Sequence, residues 1–354
     1  MPASVASDPR RLCRGFTIVE LMVSIAILTV LVAMLVGVFL QVSRTWALGE
    51  GNIERRRGAR ALTDYIGVEL QGAMLPAEGG AVTPGKNNLQ FLINPPTSQV
   101  PDECRNADAI FWQAPLATET SFGEIAEIGY FVRWVPPSLE AQRRGATASR
   151  PALCRFFVNP SVVETEPVTH AQTVSRNKNF LIYTGSSPAD WLSGGLLDAV
   201  ASAKAPTYAG LFEENVIGLW VRAYGLGTDS SNKLKPQELP RTFYSLPKTA
   251  TDTNVGYVYK RPYTDLNGSS ATKDERYYLP ARVQISIVQV DTHNVARLDL
   301  VAAKIQAMTK LTTIRDAAEF MDQLGKDAKS DKRLAALLPG LRTYTTEVQL
   351  QNAR

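Results

Sequence analysis

Chemistry in this chain of 354 residues has few side chains to draw on. There are two histidines, His170 and His293, and three cysteines, Cys13, Cys104 and Cys154. That supply is too small for a His/Cys metal centre, and a disulfide scaffold is excluded at this length. A nucleophilic triad would need one of the two histidines beside an acid and a nucleophile. No G-x-S-x-G, P-loop or H-E-x-x-H motif occurs, so each histidine reads as an ordinary polar residue. Asp265-Leu266-Asn267-Gly268 offers two calcium-type oxygen donors, Asp265 and Asn267, but lacks the other carboxylates and the distal Glu of a calcium loop. Asn-Gly favours type I′ geometry, so a β-turn is the stronger reading there. No metal or cofactor is expected. The residue in the most unusual setting is Glu20. It is the only formal charge between Phe16 and Leu40, in FTIVELMVSIAILTVLVAMLVGVFL. A carboxylate at the centre of a bilayer costs about 2.5–3.5 kcal/mol on insertion scales, so it needs a cation beside it or must be protonated.

The element that carries Glu20 is long and apolar on every face. As a helix, residues 16–40 reach about 37 Å, enough to cross a hydrocarbon core of about 30 Å. A helix without a polar face is not an amphipathic surface helix. The flanks are basic on both sides: Arg10, Arg11 and Arg14 before the span, Arg44 and then Arg55, Arg56, Arg57 and Arg60 after it. The first group is adjacent to the membrane, which places the leader in the cytoplasm. A cleaved secretory signal would have a shorter apolar run and a small-residue site after it. Here the run is longer, Gln41-Val42-Ser43-Arg44-Thr45-Trp46 has no A-x-A pattern, and the small residue Gly15 comes before the run.

Arg14-Gly15-Phe16-Thr17-Ile18-Val19-Glu20 resembles the class III (prepilin) signal of type IV pilins and type II secretion pseudopilins. The resemblance implies that a prepilin peptidase cuts between Gly15 and Phe16 and N-methylates Phe16. It also gives Glu20 a partner. The new amine of Phe16 lies one helical turn away, and either group can reach its counterpart on a neighbouring subunit. In this family the pair aligns a subunit entering a filament. The passive alternative is a protonated Glu20 facing another helix.

Losing residues 1–15 removes Cys13 and takes the formal charge from +4 to about +2. Cys104 and Cys154 remain. In an oxidising periplasm they form either one bridge or two separate buried thiols. A bridge would close a loop of about 50 residues and contribute a few kcal/mol.

Beyond Leu40 the pattern becomes amphipathic, with Trp46, Leu48, Ile53, Leu62, Ile66 and Leu70 among charged residues. A continuous or once-bent helix is expected over 16–75, with Gly49 and Gly51 a soft point. The Arg55–Arg60 group reads as a solvated face rather than a lipid or nucleic-acid contact. Residues 77–88 read as a connector. Strands are expected at 89–93, 125–135, 153–158, 180–183, 216–224 and 282–290, and long loops over 225–274. In 125–135, Ile128, Tyr130, Val132 and Trp134 share one face. Val216–Tyr224, an insert, and Tyr278-Leu279-Pro280 leading into a further strand resemble the J-type minor pseudopilin. Thr343–Leu350 resembles the closing strand of the Verru_Chthon cassette protein C family. Residues 294–338 depart from a small pseudopilin head and suggest two helices and a third short one, a packing element rather than a partner surface.

The expectation is an α+β protein: a leader over 1–15, a transmembrane helix over 16–40, its amphipathic continuation over 41–75, and a β-rich head over 76–354 with a helical insertion at 294–338. It reads as a non-enzymatic, single-pass inner-membrane subunit with a periplasmic head. Its expected partners are the prepilin peptidase, other pilin-like subunits and their assembly platform. Mature charge near neutral gives no drive toward nucleic acid. The rival readings are a membrane-anchored periplasmic enzyme or binding protein, and a DNA-uptake or adhesion minor pilin.

Overall fold

The computed structural model describes residues 17–74, 89–95, 100–135, 143, 149–166, 169–180, 191–192, 197, 208–228, 234–244, 259–264, 270–275 and 279–350. Gly15, Phe16, the 77–88 connector and the Asp265–Gly268 turn lie outside the described residues. The chain divides into two compact units, Met1–Ala59 and Arg60–Arg354.

Helix α1 (Ile18–Gln71) contributes residues to both units. It starts and ends within a few residues of the expected 16–75, and it runs through Gly49 and Gly51. At its start the Thr17 hydroxyl accepts the Glu20 N–H at 3.3 Å, which satisfies one of the orphan amides of the first turn. At its end, Gly72 and Ala73 donate to the Glu69 and Leu70 carbonyls.

In the second unit α1 presents Leu62, Ile66 and Leu70 as a buried stripe at four-residue spacing. The stripe packs against a sandwich of two antiparallel sheets. The first sheet contains β1 (Phe91–Ile93), β2 (Ile110–Ala114), β3 (Ala126–Val135), β4 (Arg150–Val158), β7 (Ala209–Glu214) and β10 (Phe243–Tyr244), in the order β10-β1-β2-β3-β4-β7. The second contains β8 (Val216–Thr228), β9 (Leu234–Glu238), β13 (Arg282–Val290) and β14 (Leu341–Gln349), in the order β14-β13-β8-β9. Two hairpins complete the strands: β5 (Ser161–Thr165) with β6 (Gln172–Arg176), and β11 (Tyr259–Thr264) with β12 (Ser270–Glu275).

The side-chain period of two sends alternate residues of each strand into different apolar clusters. Ile128, Tyr130 and Val132 of β3 join the helix stripe and the inner faces of both sheets. Phe131 points the other way, into a cluster with Leu92, Phe111, Phe156 and Trp191. Strand β3 is therefore buried on both faces, not on the single face that its alternation suggests. Trp134 belongs to a third cluster, with Ile217, Trp220 and the helices of 294–338. Gly129 sits where the Phe111 ring crosses β3: a Cβ there would lie 2.1 Å from Phe111 Cδ1.

The helical insertion is a packing element, built from four α-helices rather than three: α2 (Val295–Asp299), α3 (Ala302–Thr309), α4 (Ala317–Ala328) and α5 (Lys332–Leu337). Val295, Leu298, Ile305, Phe320, Leu324, Leu334 and Leu337 cover the outer face of the second sheet. Trp220 and Phe320 pack there as tilted rings with centroids 5.2 Å apart. The Ala317 N–H donates to Ser286 Oγ of β13 at 3.0 Å, which ties the start of α4 to the sheet.

Other expectations need correction. The 225–274 stretch, expected as loops, contains the end of β8 and strands β9 to β12. Their sequences, such as LKPQE and SATKDE, carry no apolar alternation, because backbone pairing alone defines them. Strands β2, β5, β6 and β7 were not anticipated, being short or lacking a periodic signature. Phe180 is not in a strand: its N–H closes a turn onto the Asn177 carbonyl at 3.2 Å, and 181–183 lie outside the described residues.

Candidate functional site

Two separate sets of residues merit attention, one in each unit. In the first unit the apolar stretch Ile18–Ser43 is 26 residues long with a mean hydropathy of 2.9, and none of it is buried. Length and composition suit a bilayer span. Its hydroxyls are turned back onto the helix. Ser24 Oγ donates to the Glu20 carbonyl at 2.8 Å, and Thr29 Oγ1 donates to the Ile25 carbonyl at 2.6 Å. That local bonding removes most of the cost of carrying hydroxyls in hydrocarbon. Glu20 lies in the first turn and is exposed. A carboxylate in the first turn also suits the positive end of the helix dipole. With Gly15 and Phe16 outside the described residues, the described geometry is that of Glu20 and its Thr17 cap.

In the second unit the last turns of α1 carry a charge that the sequence reading missed. Glu69 is 6% exposed. Arg155 of β4 grips its carboxylate with two bonds, Nη2 to Oε1 at 2.5 Å and Nε to Oε2 at 3.2 Å. The Tyr130 hydroxyl donates to the same Oε2. The Glu69 backbone carbonyl accepts the Trp112 indole N–H at 3.2 Å. The guanidinium is stacked 4.2 Å from the Phe157 ring centroid. Burial works against the charge on Arg155, but the Glu69 carboxylate outweighs it and raises the pKa. Burial, and then the same carboxylate, push the Tyr130 hydroxyl far up. The cluster joins helix to sheet. One signal for it was legible: an acid at position 69, three residues beyond Ile66, stands beside the buried stripe.

A second buried carboxylate links the two sheets. Asp108, 1% exposed, accepts from Arg241 Nε and Asn94 Nδ2, both at 2.7 Å, and from the Val221 N–H at 2.9 Å. The adjoining Ala107 forms a parallel bridge to Leu219 of β8. A third ionic group fastens the insertion: Arg222 is bidentate on Glu238 and donates to Asp316 Oδ2 at 2.8 Å, while Asp316 Oδ1 caps α4.

The remaining candidates stand as follows. Cys104 and Cys154 are two buried thiols in the same apolar cluster, with no bridge between them. Burial pushes the Cys154 thiol up to about 11, against the opposing pull of Arg133. His170 is exposed in the turn between β5 and β6, at φ 55°. His293 lies in the 3-10 turn before α2. Asp265 and Asn267 lie outside the described residues; the strands on either side, β11 and β12, pair as a hairpin around them. Among the described residues, no group of His, Cys, Asp and Glu side chains is placed to hold a metal ion.

A family model described as the prokaryotic N-terminal methylation motif matches residues 10–36. Neither a curated protein nor a solved structure matches the chain. The matched residues include Arg10, Arg11, Arg14, Gly15, Phe16, Glu20 and most of the apolar helix. The N-terminal region therefore carries a prepilin-type methylation motif on a hydrophobic helix suited to membrane anchoring.

Proposed function

We propose that this chain is a minor pseudopilin-type subunit of a type II secretion or type IV pilus-like filament. The observation that carries the reading is the N-terminal methylation motif at 10–36, continuous with an uninterrupted apolar helix and followed by a β-rich head. The peptidase cuts between Gly15 and Phe16 and methylates the Phe16 amine. Until assembly, the helix anchors the subunit in the inner membrane with the head in the periplasm. A helix apolar on every face can pass from lipid into a bundle of similar helices without exposing apolar surface to water. During that transfer Glu20 and a Phe16 amine neutralise each other, which offsets the cost of a lone carboxylate in a dry environment.

The subunit itself has no catalytic role in this reading. The buried carboxylates Glu69 and Asp108 are saturated by arginine, tyrosine, asparagine and backbone donors, as structural groups are. The partners are the prepilin peptidase, related pilin-like subunits and the assembly platform. The large head favours a tip or otherwise minor position, since a subunit repeated along a filament must pack closely.

Terminal sequencing of the protein from membranes of peptidase-competent cells tests the reading. N-methyl-Phe16 as the first residue is the expected result. An intact Met1, or a start beyond Gln41, would remove the chain from this class.

A further inference from the structure

We propose that Cys104 and Cys154 are joined by a disulfide in the mature protein, of which the structure is the dithiol form. The inference rests on the reading above, in which the head faces an oxidising compartment. Both cysteines line one apolar cluster, at 0% and 4% exposure. Cys104 ends the 3-10 turn Asp102–Cys104. Its neighbour Glu103 is ion-paired with Arg133 of β3. Asn106 Nδ2 donates to the Glu103 carbonyl at 2.8 Å and to the Val132 carbonyl at 2.9 Å. The turn is thus pinned to β3 at residues 132 and 133. Cys154 stands on β4 directly opposite Phe131. Two residue steps along one strand and one strand step across put Arg133 and Cys154 on the order of 8 Å apart. A bridge needs Cα atoms within about 7 Å, and the pinned turn and the shared cluster bring both cysteines to the same face of the first sheet.

The sulfurs are buried in the folded head, so exchange belongs to the folding chain. One cysteine thiolate attacks the disulfide of an oxidising thiol–disulfide carrier, forming a mixed disulfide and releasing one carrier thiolate. The other cysteine thiolate then attacks the protein sulfur of that mixed disulfide and displaces the second carrier thiolate. Two S–H bonds are lost, one S–S bond is formed, and two electrons leave with the reduced carrier, whose thiolates take up the two protons. The bridge closes a loop of about 50 residues that contains β2 and β3.

The test uses the full chain in two arms. In the first, peptidase-competent cells are denatured in N-ethylmaleimide before any reduction, and the protein is mapped without reductant. In the second, reduced, denatured protein is refolded in detergent with reduced and oxidised glutathione and mapped in the same way. The expected result is a Cys104–Cys154 peptide pair in both arms, lighter by two hydrogens than the dithiol pair and absent from Cys104→Ser. Full labelling of both cysteines without reduction in both arms overturns the proposal. A linked pair in the glutathione arm alone upholds the bridge and overturns the periplasmic placement. Cys13 in the cell-derived map identifies unprocessed chain, which separates a failure of processing from a failure of oxidation.

Discussion

The Glu69 carboxylate, on the last turns of helix α1, accepts two hydrogen bonds from the Arg155 guanidinium of strand β4, at 2.5 and 3.2 Å. This pair fixes the register of the helix stripe Leu62–Ile66–Leu70 on the first sheet. Removing one partner leaves the other charged and largely buried, a loss of about 3 kcal/mol. Arg155→Leu is therefore expected to lower head stability by about that amount. The double change Glu69→Met with Arg155→Leu is expected to recover much of the loss. Chemical denaturation followed by tryptophan fluorescence gives the cycle. With Glu69→Met as the second single variant, a double-variant loss equal to the sum of the two single losses would show that the pair is not coupled.

Gly129 is required by the ring of Phe111. A Cβ at 129 would lie 2.1 Å from Phe111 Cδ1, and that ring is itself held by Phe131 and Phe156 at centroid distances of 6.2 and 5.9 Å. Gly129→Ala is expected to cost about 2 kcal/mol through overpacking. Adding Phe111→Ala to it is expected to cost less than the sum of the two changes. Additivity in denaturation midpoints would contradict this account.

Glu20 is expected to matter for assembly and not for insertion. Glu20→Ala removes the only charge of the apolar stretch, so membrane fractionation should be unchanged or improved. The same change removes the partner of the Phe16 amine, so crosslinking to other pilin-like subunits should fall. Undiminished crosslinking with Gly15 cleavage intact would favour a protonated, passive Glu20.

The head is expected on the far side of the membrane from the leader. A reporter active only in the periplasm, fused after Arg354, should be active. Activity of a cytoplasm-only reporter at the same position would reverse the topology.

Asp331 supplies an acid-sensitive cap. Its Oδ1 accepts the Arg333 N–H at 2.9 Å, and Lys304 Nζ lies 3.2 Å from Oδ2. The backbone bond first, and then the lysine, hold its pKa below the ordinary 3.8. A depressed carboxyl pKa stabilises the fold above the unfolded value and loses that contribution as pH falls through the folded one. The Arg333 amide resonance is accordingly expected to titrate with a midpoint below 3.8. Asp331→Asn should keep α5 capped while abolishing that titration. A midpoint at or above 3.8 would show that the cap does not form.

The anchor was legible in the sequence because its determinants are local. Gly15, Phe16 and Glu20 stand at fixed spacing, and an apolar run needs no tertiary partner to define a span. Strands β3, β8 and β13 were legible for the same kind of reason: alternating or continuous apolar runs such as IAEIGYFVRWV and RVQISIVQV carry their own period. So was the packing role of 294–338, whose apolar spacing is helical. Tertiary structure alone decided the rest. Strands β9, β11 and β12 are polar and exist through backbone pairing with partners that no local pattern names. The burial of β3 on both faces depends on Phe111, Phe131 and Phe156 meeting from three different strands. The pairing of Glu69 with Arg155, and of Asp108 with Arg241, joins residues 86 and 133 positions apart in the chain. Each of these carboxylates would look like an ordinary surface acid in sequence. Only the fold removes it from water, and removal from water is what makes its arginine partner obligatory.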